Sequence, residues 1–88
     1  MKFQQMNRTQ QQIAKVTFIG MLQREMQFTQ EQAAQEFAFL VSNLTQINRD
    51  FYTIRQPRIG ATQRLNRIQK NNVYSMFENS LNHATFVV

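Results

Sequence analysis

Six cations, Arg49, Arg55, Arg58, Arg64, Arg67 and Lys70, stand in one stretch of the chain against the single carboxylate of Asp50. The whole chain carries a net charge of +5, so the excess is concentrated there. Guanidinium forks match phosphate oxygens and carboxylates alike. A hinge that gathers several of them is a footprint for a nucleic-acid backbone, with affinity governed by counterion release. Tyr52 and Tyr74 would add stacking surfaces for bases if they are exposed beside that patch. Two other readings use the same residues: an acidic protein partner, or a polar helix face that is merely solvated.

Other chemistry is poorly supplied. His83 is the lone histidine and has no carboxylate nearer in sequence than Glu78. Glu31 and Glu36 are not spaced as neighbours on a helix face. Gly20 and Gly60 are isolated, so no phosphate-cradling glycine loop exists, and the absence of cysteine removes thiolate chemistry and cysteine zinc sites. No nucleophile, base and orienting group can be assembled. The sequence therefore predicts a protein that is not an enzyme and has no catalytic residue, metal site, cofactor or small-molecule substrate.

The elements that must position the cations are helical. Ala33, Phe37, Leu40, Leu44, Ile47, Phe51 and Ile54 alternate at intervals of four and three, the seam of a helix packed lengthwise on others. Thr29 and Gln32 fit a capping box at its start, and Pro57 disfavours helical geometry just after Arg55. These signals predict one continuous helix over at least residues 31–52. A first helix is expected from about Thr9 to Met26. It has Met6, Ile13, Val16 and Gly20 on one side and Phe18, Leu22 and Met26 on the other, hence burial on both sides. A third is expected from about Thr62 to Asn82, with Leu65, Ile68, Val73, Met76 and Phe77 on its packing face. Asn72 falls within that stripe, where a buried asparagine would fix register or oligomeric state. Arg64, Arg67 and Lys70 lie opposite it, so Arg55, Arg58 and these three form a basic hinge between the second and third helices. Residues 1–8 read as an arm and 84–88 as a tail, strand-like or an apolar plug.

Thr29-Gln30-Glu31-Gln32-Ala33-Ala34, with Phe37, Leu44 and Ile47 following, resembles the first helix, turn and second helix of helix-turn-helix DNA-binding proteins. The resemblance implies a turn at Ala38-Phe39-Leu40. That family commonly carries glycine there, whereas this chain offers alanine and further apolar residues, and the seam runs through without losing phase.

The fold class expected is all-α: a small three-helix bundle with a long central helix, in a single domain of 88 residues. A chain this short buries a modest core, and a two-sided first helix beside a long seam exceeds what it covers alone. A homodimer burying Phe18, Leu22 or Phe37 between subunits is therefore expected. Fourteen glutamines and eight asparagines supply neutral donors and acceptors, and the regular apolar spacing argues against a low-complexity tract. The apolar runs near Phe18–Leu22 and Phe37–Val41 are far too short to span a bilayer, and no continuous apolar block marks a leader. The expected setting is cytoplasmic, without a membrane partner. Two functions fit: a regulatory protein that contacts the phosphate backbone of DNA or RNA through the basic hinge, and an inhibitor that blocks a larger nucleic-acid-handling machine through an acidic surface. The second resembles anti-CRISPR-like proteins of phages and mobile elements in size, compactness and lack of catalytic motifs, a resemblance that assigns no residue.

Overall fold

The computed structural model of the protein describes residues 3–43, 48–55 and 65–87, the side chains of Ile54 and Arg55 excepted. The chain is all-helical, with no strand among the described residues: α1 (Arg8–Glu25), α2 (Gln30–Ser42) and α3 (Arg67–Val87). A 3-10 turn, Phe3–Gln5, precedes α1, and a wider helical turn, Phe51–Arg55, lies between α2 and α3.

Each long helix starts on the same device. Asn7 Oδ1 accepts from the Gln10 amide at 2.8 Å, and Gln10 Oε1 accepts from the Asn7 amide at 3.0 Å. Thr29 and Gln32 exchange the equivalent bonds at 3.1 and 3.0 Å. Asn66 and Gln69 do so at 2.8 and 2.9 Å. Reciprocal bonds of this kind satisfy two amide donors that a helix start otherwise leaves to solvent. Asn48 Oδ1 accepts from the Phe51 amide at 2.8 Å, a single capping bond at the start of the short segment. The amide-rich composition is thus spent in part on defining where helices begin.

One aromatic cluster ties the three helices together. Phe18 of α1, Phe37 of α2 and Phe77 of α3 stand in mutual ring contact, with centroids 5.6, 5.8 and 6.0 Å apart. Phe3 packs edge-on against Phe37 at 5.6 Å, and Met6 is buried beside Ala14 and Ala84, so the stretch read as an arm closes one end of the core. Between α1 and α2, Gln27 takes a left-handed backbone with φ 58°. This disfavoured geometry turns the chain so that the Phe28 amide reaches the Leu22 carbonyl at 3.2 Å and its ring enters the core.

Several expectations are corrected by this arrangement. The central helix is not long: α2 ends at Ser42. There the Asn43 backbone N–H donates to the Leu40 carbonyl at 3.4 Å and the Asn43 side chain to the Phe39 carbonyl at 2.8 Å, so a side chain takes over the carbonyl that the next turn of a continuing helix would use. Tyr52 donates to Glu36 at 2.5 Å, whereas sixteen residues of straight helix would separate their Cα atoms by about 24 Å. Leu44 and Ile47 of the seam lie outside the described residues. The helix-turn-helix reading fails as well, because α2 runs unbroken through Ala38, Phe39 and Leu40.

The first helix is buried along one ridge, Gln10, Ala14, Phe18 and Leu22, while Val16 is 60% exposed. Phe18, Leu22 and Phe37, expected between subunits, are covered within the chain itself. On α3 the packing face is Val73, Phe77, Ser80 and Ala84. Ile68, expected on that face, is 73% exposed, since it sits about 140° around the helix from Val73. Asn72 is exposed with it. The tail is also helical: α3 continues to Val87.

Candidate nucleic-acid interface

The basic stretch is held at both of its described ends. At the first end, Tyr52 is fully buried and bonded to Glu36 of α2, itself 5% exposed. Arg49 reaches the other way, to α3: Nη1 donates to the Asn71 carbonyl at 3.1 Å, and Nη2 to Glu78 Oε1 at 2.6 Å. Its guanidinium lies 5.1 Å from the centroid of the Tyr74 ring. The segment 48–55 is therefore clamped between α2 and α3 by one buried hydroxyl–carboxylate bond and one half-exposed cation. At the second end, the Asn66–Gln69 box fixes the start of α3, and with it Arg67 and Lys70.

These contacts sort the expected site residues. Arg49 is a tether within the fold, with both terminal nitrogens of its guanidinium engaged by α3. Arg67 is exposed and Lys70 half-exposed, both in the first turn of α3, which contains no acidic residue. Cations are disfavoured at a helix N-terminus by the macrodipole, so their presence there raises the local positive potential. Arg58 and Arg64 lie outside the described residues, as does the Arg55 side chain. Tyr52 is too deeply buried to stack on a base. Tyr74 is half-buried, with Tyr52 at 5.9 Å and Phe77 at 6.3 Å from its ring. Both tyrosines belong to the core. Arg8 and Lys15, which the sequence reading left aside, are exposed on the outer side of α1, two turns apart on the same face. Their seven-residue spacing was the available signal.

Arg49 also acts on its neighbour Tyr74, against two larger influences. Burial pushes the Tyr74 phenol above its ordinary value of 10.0, the Glu78 carboxylate pushes it further, and Arg49 opposes both. A phenol whose folded value is raised favours folding fully below its unfolded value, and that contribution is lost as pH rises through the folded one. Stability should therefore fall on the alkaline side of 10. We expect Arg49→Gln to lower stability by about 1 kcal/mol, the scale of a half-exposed charge-assisted bond. It should also move the Tyr74 titration, followed by its ring resonances in alkaline NMR spectra, to still higher pH. An unchanged titration would mean that the guanidinium does not act on the ring.

No group of histidine and carboxylate side chains among the described residues could hold a metal ion. No helix among them is long and apolar enough to cross a membrane. No protein-family model, curated protein or solved structure matches the chain.

Proposed function

We propose that the protein is a small regulatory protein that binds a nucleic-acid backbone through the basic surface at the start of α3. The observation that carries this reading is the pairing of Arg67 and Lys70 in a helix turn without a carboxylate, at the end of a stretch in which six cations face one acid. Arg55, Arg58 and Arg64 belong to the same stretch and are proposed to share the contact. Arg49 is proposed to support the surface by fixing segment 48–55 against α3. Such contacts neutralise phosphates and carry little base specificity.

The test is an electrophoretic shift with generic duplex DNA, single-stranded DNA and RNA at two salt concentrations. Affinity for at least one of them should fall steeply with salt. Arg67→Ala combined with Lys70→Ala should weaken binding about equally across sequences and reduce the slope of log affinity against log salt by about two, near one per lost phosphate contact. The thermal midpoint should hardly change, because neither side chain belongs to the core. No affinity for any of the three at moderate salt would overturn the reading. The same cations would then be tested against an acidic protein surface, as the inhibitor reading requires.

A further inference from the structure

Of the four large apolar side chains that are well exposed among the described residues, three lie on α3: Ile68 at 73%, Phe86 at 93% and Val87 at 58%. Ile68 and Phe86 are the two ends of one straight stripe, Ile68, Asn72, Ser75, Asn79, Asn82 and Phe86. Its intervals of four and three keep it on one side of the helix, the side turned away from Val73, Phe77, Ser80 and Ala84. No member is charged, in a chain whose net charge is +5. We propose that this stripe is a self-association surface, on which α3 pairs antiparallel with α3 of a second copy.

The order of the stripe selects the occupant. Read in opposite directions, two copies set Ile68 against the partner's Phe86, Asn72 against the partner's Asn82 and Ser75 against the partner's Asn79. Each pairing then recurs by the two-fold axis, as an isologous interface demands. Apolar side chains close both ends, and amides in the middle can bond to each other, which fixes register at some cost in stability. Charge selects the direction. A parallel pair would bring both copies of Arg67 and Lys70 together at one end. The antiparallel pair separates the two Arg67 side chains by about 30 Å along the axis, several times the screening length of about 8 Å, and opposes the helix dipoles favourably. Glu78 flanks the centre of the stripe, and its own Arg49, 2.6 Å away, neutralises it there. The stripe is about 27 Å long, one helix wide, and smaller than the roughly 800 Å² per partner of a standard interface. The dimer is therefore expected to dissociate in the micromolar range.

Sedimentation velocity without nucleic acid tests the surface independently of the backbone-binding reading. The wild-type chain should form dimers as its concentration is raised from about 1 to about 300 µM, a range that brackets such affinities. Ile68→Glu combined with Phe86→Glu should weaken association at least about tenfold while the helical circular dichroism is retained. The chain has no cysteine, so introduced thiols report register. Ser75→Cys mixed with Asn79→Cys should form a disulfide-linked dimer under mild oxidation, and Ser75→Cys alone should do so much less. A monomeric wild type at the top of that range, or a dimer indifferent to the two glutamates, would overturn the proposal. Equal cross-linking by Ser75→Cys alone would overturn the antiparallel register.

Discussion

Phe18→Ala should lower the thermal midpoint by roughly 15–30 °C. Phe18 is fully buried and meets one ring from each of the other two long helices, Phe37 at 5.6 Å and Phe77 at 5.8 Å. Truncation removes the transfer free energy of the ring, leaves a cavity at the junction of α1, α2 and α3, and loses the two edge and tilted ring contacts. Phenylalanine-to-alanine changes at such sites cost about 3–5 kcal/mol, a large part of the 5–15 kcal/mol that holds a typical domain together. At about 4–8 °C per kcal/mol for a chain of this size, the shift is easily read by circular dichroism. Val16→Ala on the same helix, at a position 60% exposed, is the control and should remain near the wild-type midpoint. A Phe18→Ala shift no larger than that of Val16→Ala would mean that the three rings do not form the centre of the fold.

Tyr52→Phe should produce the second largest loss, about 1.5–3 kcal/mol. The hydroxyl donates to Glu36 Oε2 at 2.5 Å, with Tyr52 fully buried and Glu36 5% exposed. Burial keeps water from replacing this bond when the hydroxyl is removed, so its loss costs more than that of an exposed one. The phenyl ring itself is kept, so its packing against Phe39 and Tyr74 should persist. Glu36→Ala removes the acceptor. A double-mutant cycle with Tyr52→Phe, read by urea unfolding, should therefore give a coupling energy of about 1 kcal/mol or more. Additive effects of the two substitutions would show that the bond is incidental to holding segment 48–55 on α2.

The periodicity of apolar residues reveals the helices but not where the middle one stops. Ala33, Phe37 and Leu40 keep the spacing of a packing seam and are buried as that spacing requires. The same spacing recurs beyond Ser42, where phase alone cannot distinguish one helix from two that each bury a face. The terminator is Asn43, whose backbone N–H shifts to the Leu40 carbonyl while its side chain takes the Phe39 carbonyl, a residue that a purely apolar reading passes over. On α3 the packing face uses Ser80 and Ala84, small residues that let a neighbouring helix approach. Counting only large apolar residues assigns that face to Ile68 instead. The capping signal at Thr29 was legible, and its two counterparts at Asn7 and Asn66 obey the same three-residue rule. Of the cations, charge density gave the stretch but not its division of labour. That Arg49 spends its fork on Asn71 and Glu78 follows from segment 48–55 folding back across α3, a tertiary event without a local signature.

The three capping boxes have a consequence for how the protein responds to its surroundings. Helix starts are often held by aspartate or glutamate, groups that gain a proton in acid and whose attraction to the helix end is screened by salt. Here the side chains are Asn7 with Gln10, Thr29 with Gln32, and Asn66 with Gln69, none of which ionises. The helix boundaries are in effect written in uncharged ink. Acid and salt therefore leave these three helix starts in place, while the field of the exposed cations at the start of α3 weakens as ionic strength rises.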